Sequence, residues 1–309
     1  MTLINVESLE IFRTNIYIPS DIGLVSNNAY LSVVVTNDCN MNCPYCVNSY
    51  TDRSLYLPVD KMCKNVKKLV SKHPINEAII LWWEPTLHPD IIGIIKWLRD
   101  CWIEKVRLTT NGVALTDKLL IDMVDAGLYS LNVSYHNEGF ISKARLWEIF
   151  SLCKKFGIKL RVNTNIWRNN HDTVEKFMDF YDEHLKNNCN EVRISNLILK
   201  ASFFVNDKND IIAKKMMLSE EEYNDLFTKL INSFDVTSID NPKTLGFVRY
   251  VLIPISTPII INWNINSKVA HQVSKKSESD VKQKKINTFK CLVSGNISLS
   301  WNEDNTIIK

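Results

Sequence analysis

The chain has 309 residues, enough for one large domain or one domain with an appendage and too many for a disulfide-stapled miniprotein. With 45% hydrophobic and 23% charged residues, and Lys+Arg 37 against Asp+Glu 34, its +3 balance excludes a disordered chain and makes nucleic acid an unlikely partner. No apolar run reaches the ~18 residues of a membrane span, and Glu7, Glu10 and Arg13 interrupt the stretch where a signal peptide keeps its apolar region, so no membrane partner and a cytoplasmic location are expected.

Residues 1–29 read as an amino-terminal extension. From Tyr30 the chain alternates β-rich runs with segments of helical period. The first strand is expected at Tyr30–Thr36, followed by a cysteine-bearing loop and a helix over Asp60–Lys72 that Pro58 and Asp60 start. A strand at Glu77–Trp82 and a helix at Ile91–Cys101 follow. Next come a strand at Val106–Thr110 closed by Asn111-Gly112, and a helix at Asp117–Ala126 ended by Gly127. The alternation continues with a strand at Leu131–Ser134, a helix at Ala144–Phe156, a strand at Lys159–Asn165, a helix at Asp172–Leu185 and a strand at Glu191–Ser195.

Six β/α units in succession predict an α/β fold of parallel strands with right-handed crossovers, either an open doubly wound sheet or an incomplete (β/α)6 TIM-like barrel. Both place chemistry at the carboxyl ends of the strands. Residues 30–200 make this core, and 201–309 read as a short α+β extension that closes the barrel. It holds a helix near Ser219–Phe234 and an apolar stretch, Phe247–Trp263, broken by Pro254 and Pro258. Ser274–Lys285 reads as a solvated linker, because Ser, Glu and Asp interleave Lys275, Lys276, Lys282, Lys284 and Lys285. A hairpin is expected over Phe289–Trp301 with its turn at Gly295-Asn296.

The loop after the first strand carries Cys39-Asn40-Met41-Asn42-Cys43-Pro44-Tyr45-Cys46. A [4Fe-4S] cube takes four thiolates, so three closely spaced cysteines leave one iron open to a substrate or cofactor. Structural zinc closes its tetrahedron with four ligands, and no second Cys-x-x-Cys or His pair supplies the fourth, which favours iron-sulfur over zinc. Cys63, Cys101, Cys153, Cys189 and Cys291 are scattered and read as small core residues, which leaves no grouped set for an auxiliary cluster.

The triplet, with the aromatic Tyr45 before its last cysteine, resembles the signature of the radical S-adenosylmethionine (radical SAM) superfamily. Further landmarks follow in the family's order. Trp82-Trp83-Glu84-Pro85 stands in the place of that family's Gly-Gly-Glu-Pro and is continued by Thr86-Leu87-His88-Pro89. Thr109-Thr110-Asn111-Gly112 resembles its Thr-Asn-Gly turn, Ser134 its strand-four serine near the ribose, and Asn163 and Asn165 its polar strand-five positions. The resemblance implies a [4Fe-4S] cluster on Cys39, Cys43 and Cys46. It also implies S-adenosylmethionine (SAM) held by Tyr45, Trp83, Glu84, Thr110, Asn111, Ser134, Asn163 and Asn165, and a one-electron reductant such as flavodoxin or ferredoxin.

Each of these landmarks has an ordinary reading as well: Asn111-Gly112 alone is a common turn and Ser134 a common strand residue. Glu84 among tryptophans and a proline needs a partner, for which the amino group of the cofactor would serve. The two tryptophans depart from the family pattern, since glycine's freedom of φ and ψ is expected to be lost there, with Trp83 narrowing the cofactor site. His136, Arg161, Trp167 and Arg193 sit near predicted strand ends, where each could meet substrate or form an ordinary ion pair or surface contact.

The activity implied is reductive cleavage of SAM to a 5′-deoxyadenosyl radical that abstracts hydrogen from a small metabolite or, second, a peptide. The alternatives are an iron-sulfur electron-transfer or sensor protein degenerate at Trp82-Trp83, and a zinc-stabilised binding module.

Overall fold

The computed structural model describes residues 16–46, 54–136, 141–197, 208–234, 236–239, 247–252, 257–264, 285–301 and 303–309. In chain order the strands are β1 (Tyr17–Ser20), β2 (Gly23–Val33), β3 (Glu77–Ile80), β4 (Lys105–Thr110), β5 (Leu128–Ser134), β6 (Lys159–Ile166), β7 (Glu191–Asn196), β8 (Val236–Ile239), β9 (Phe247–Leu252), β10 (Ile259–Asn264), β11 (Lys285–Cys291), β12 (Ile297–Ser298) and β13 (Thr306–Ile308). The helices are α1 (Val59–Val70), α2 (Ile91–Asp100), α3 (Asp117–Asp125), α4 (Lys143–Lys155), α5 (Val174–Phe180), α6 (Lys208–Met216) and α7 (Glu220–Asn232).

The expected succession of six β/α units is present as β2 to β7, each strand parallel to the next. Alternation along the strands explains the layering. Val106 and Leu108 of β4, Leu131 and Val133 of β5, Leu160 and Val162 of β6, and Val192 and Ile194 of β7 are all buried in one apolar core. α2, α3 and α4 pack on that face of β4, β5 and β6. The residues between, among them Arg107, Asn132, Arg161, Asn163 and Arg193, face the other side. The strand order β13-β12-β11-β2-β3-β4-β5-β6-β7-β10-β9-β8 leaves β13 and β8 unpaired with each other, so the barrel is incomplete.

Several boundaries differ from the sequence reading. The first long strand begins at Gly23, not Tyr30, because a turn between Ser20 and Gly23 folds β1 back on β2 through polar residues that mask the strand pattern. It ends at Val33, and Thr36 makes only an isolated bridge to Tyr56. The second strand stops at Ile80, since Trp82 (φ 76) and Trp83 (φ 46) turn left-handed. The helix expected over 172–185 is α5 followed by a wide π-type turn at Tyr181–Leu185.

Beyond residue 200, β10 lies parallel to β7 and β11 parallel to β2, so the late segments cover both flanks of the six-strand core. β11 and β12 form the expected hairpin, with Gly295 at φ 82 in its turn. The apolar stretch from Phe247 is the antiparallel pair β9 and β10. The lysine-bearing linker lies outside the described residues except for Lys285, which opens β11. Among the described residues no helix is long and apolar enough to cross a membrane.

Candidate functional site

Three loops converge at the carboxyl ends of β2, β3 and β4, and the cysteine loop is the innermost. It leaves β2 through Thr36, whose Oγ1 donates to the Leu55 carbonyl at 2.9 Å and accepts the Asp38 N–H at 2.9 Å. Asp38 accepts the Cys39 N–H on Oδ1 at 2.8 Å and the Tyr56 hydroxyl on Oδ2 at 3.0 Å. A tight turn, Cys46 N–H to Cys43 carbonyl at 3.0 Å, brings the last two cysteines together. Cys39, Cys43 and Cys46 are all reduced thiols of intermediate burial.

Burial and the neighbouring Cys46 push the Cys43 thiol up to about 11, partly offset by the Tyr45 hydroxyl. Three soft sulfur donors on one loop, of which Cys46 and Cys39 both disfavour ionisation of Cys43, fit a cationic metal-sulfide centre that would invert that balance. Among the described residues, no three His, Cys, Asp or Glu side chains close around a single ion. A cube presents a separate iron to each thiolate, so its ligands need not converge on one point.

The second loop is tied to the first by the Glu84 N–H, which donates to the Asp38 carbonyl at 3.0 Å. Glu84 is fully buried, and its carboxylate finds its partners inside the protein. Oε1 accepts Thr86 N–H at 3.2 Å, the Thr86 hydroxyl, and the Thr110 hydroxyl at 2.7 Å; Oε2 accepts Asn111 N–H at 2.7 Å. Burial pushes this carboxyl upward while the four bonds pull it back. Glu84 thus clamps the ends of β3 and β4.

The tryptophans before it occupy the left-handed region that glycine favours, so the expectation that they cannot copy glycine's backbone is corrected. Two L-residues hold that conformation at a cost of about 1–2 kcal/mol each. Trp82 stacks on Trp301 of the carboxy-terminal segment, with centroids 4.2 Å apart and planes at 28°, and Trp83 is half-buried with its ring 5.9 Å from that of Trp82.

The third loop follows β4. The Thr110 hydroxyl, used by Glu84, also accepts the Gly112 N–H at 2.9 Å. Gly112 has φ 79, and a Cβ there would meet Ile141 Cδ1 at 3.3 Å, which accounts for the glycine. Asn111 Nδ2 donates to Asn40 Oδ1 at 2.7 Å and approaches Cys39 Sγ at 3.9 Å, joining this turn to the first cysteine.

Across the barrel, Tyr45 packs its ring 5.5 Å from His136 and 5.0 Å from Trp167. His136 Nδ1 accepts the Asn165 N–H at 3.1 Å, which leaves the proton on Nε2, and burial lowers this imidazole to about 4. Ser134 stands opposite Asn163 in the β5–β6 register, and the Asn163 Oδ1 is buried with no hydrogen-bond partner.

Deeper in the lumen, Arg107 pairs with Glu77 at 2.9 Å and Arg161 with Glu191, so Arg161 forms an ion pair instead of a free contact. The structure therefore draws Cys39, Glu84, Thr110 and Asn111 into one bonded network and Tyr45 into an aromatic group. Ser134, Asn163 and Asn165 line the strands that follow. Asp38 was missed by sequence reading; its role is local hydrogen bonding, which the Thr36-Asn37-Asp38 run ahead of the cysteines could have signalled.

The sequence model of the Radical SAM superfamily matches residues 33–183. Molybdenum cofactor biosynthesis protein moc-5 of Caenorhabditis elegans is 25% identical over 221 residues, 67% of this chain and 36% of that protein. A probable GTP 3′,8-cyclase of Sulfurisphaera tokodaii is 35% identical over 107 residues, 35% of this chain and 34% of its own length. The chain thus spans about a third of the length of these curated relatives. The fold is similar to that of Streptococcus suis SuiB bound to S-adenosylmethionine, with a TM-score of 0.59 at 11% identity over 92% of this chain and 64% of SuiB. Motif order and sequence match agree that residues 33–183 carry a radical SAM domain, and the fold is of the same kind.

Proposed function

We propose that the protein is a cytoplasmic, oxygen-sensitive radical SAM enzyme with one [4Fe-4S] cluster on Cys39, Cys43 and Cys46. The carrying observation is the junction of three strand-end loops through Glu84, Asp38 and Asn111, which fixes the thiol-bearing loop against the turns where the cofactor would lie. When bound, the cluster and SAM supply reductive cleavage of a carbon-sulfur bond and a 5′-deoxyadenosyl radical that abstracts hydrogen.

In this reading Asn111 donates toward the Cys39 sulfur, and Tyr45 with His136 and Trp167 forms an apolar wall that excludes water. The left-handed tryptophan turn presents backbone groups as glycines would, which supports cofactor binding over a degenerate electron-transfer protein. Trp83 narrows the site, and Ser134, Asn163 and Asn165 supply polar contacts to the cofactor. The substrate is a small metabolite, with a peptide as the second class, and the electron comes from flavodoxin or ferredoxin.

The test is anaerobic reconstitution, iron and sulfide analysis, and chromatography of dithionite-reduced protein with SAM. The expected result is 5′-deoxyadenosine formation that Cys43→Ala abolishes. A cluster-loaded protein that leaves SAM intact would favour electron transfer, and a colourless zinc protein would favour the binding module.

A further inference from the structure

We propose that Arg193 anchors an anionic group of the substrate, a carboxylate or a phosphate, in the lumen beneath the strand-end loops. This rests on the reading of the site given above. Val192 and Ile194 lie in the helix-side core, so Arg193 between them turns to the lumen, opposite Asn163 in the β6–β7 register.

The other two lumen arginines each have a carboxylate, Glu77 for Arg107 and Glu191 for Arg161. Arg193 has none among the described residues, and its Nε is buried without an acceptor. Its charged and ionisable neighbours are Tyr30 and Arg107. Tyr30 stands opposite Glu77, the first residue of β3, and Arg107 opposite Ile79, so the guanidinium reaches down toward the amino-terminal half of the barrel and away from the cysteine loop.

A second cation beside a guanidinium that has no carboxylate of its own is unfavourable unless an anion enters. The side chain as a whole is only half-buried, so the lumen leaves it reachable. A planar fork of donors matches two oxygens of a carboxylate or phosphate. The depth separates this site from the carboxylate of SAM, whose place in the proposed reading is beside the loops above.

The experiment uses the full chain, ligand-free and anaerobically reconstituted, with inorganic pyrophosphate and malonate as probes. One of these anions is expected to raise the melting temperature of the wild type. Arg193→Met should weaken that anion's binding about tenfold or more by calorimetry, with Arg193→Lys intermediate. Without ligand, Arg193→Met should melt at or above the wild-type temperature, because an unpaired charge is removed.

Three results overturn the proposal. A lower melting temperature of ligand-free Arg193→Met would assign the guanidinium a structural partner. A selective loss of SAM affinity would assign it to the cofactor's carboxylate. Absence of any anion response, or one indifferent to the substitution, would remove the site. Formation of 5′-deoxyadenosine is followed in the same preparations, so a wild type that binds anion yet leaves SAM intact defeats the enzymatic reading and not the anion site.

Discussion

Glu84 is the residue on which the strand-end loops depend, because it accepts four hydrogen bonds from β4's end and its own turn while its backbone N–H holds the cysteine loop. Exchanging the carboxylate for an amide places a donor against these donors. Glu84→Gln is expected to cost about 1–3 kcal/mol, read as a lower midpoint in urea unfolding, and an unchanged midpoint would show that the bonds contribute nothing net.

The need for a partner at this position was legible from an acid set among apolar residues. The partners were not, because Thr110 and Asn111 lie 26 and 27 residues away and Asn111 donates through its backbone N–H. The tryptophans misled for a similar reason. Conformational preference argues against φ > 0 for bulky residues, and the compensating stack on Trp301 comes from the far end of the chain.

Among elements, the carboxy-terminal hairpin acts on the Glu84 turn at a distance. Trp301 covers Trp82, and Lys290 lies 5.7 Å from the Trp301 ring while donating to the Leu299 carbonyl at 3.1 Å. Stacked aromatic pairs contribute about 0.5–1.5 kcal/mol beyond their area. Trp301→Ala should therefore speed hydrogen exchange at the Glu84 amide and reduce the near-ultraviolet circular dichroism of the tryptophan pair. Exchange as slow as in the wild type would show that the hairpin does not hold the turn.

The six β/α units were readable because each amphipathic helix shows its apolar period and ends at a cap or glycine, as α3 does at Gly127. The parallel placement of β10 and β11 was not. Prolines break the approach to one, a charged linker precedes the other, and parallel pairing across so long a separation leaves no local trace.

At the scale of the whole molecule, two half-buried imidazoles weaken stability toward acid. His136 and His171 are each lowered to about 4 from an ordinary 6.5, with burial as the main cause. Unfolding lets both bind protons below pH 6.5, while the folded protein takes them up only near pH 4. The contribution of these two groups is therefore full above pH 6.5, falls as the pH drops from there to about 4, and levels off below. Urea unfolding between pH 7.5 and 4.5 should show this decline, with a shallower slope in His171→Gln; equal slopes would remove His171 from the account.

The left-handed tryptophan turn also governs how this chain can diverge. Backbone geometry at positions 82 and 83 favours glycine or asparagine, whereas the stack favours a large flat ring at 82. No single side chain satisfies both demands. A smaller side chain at 82 would leave the ring of Trp301 without its stacking partner, so the two positions are physically coupled across the sequence.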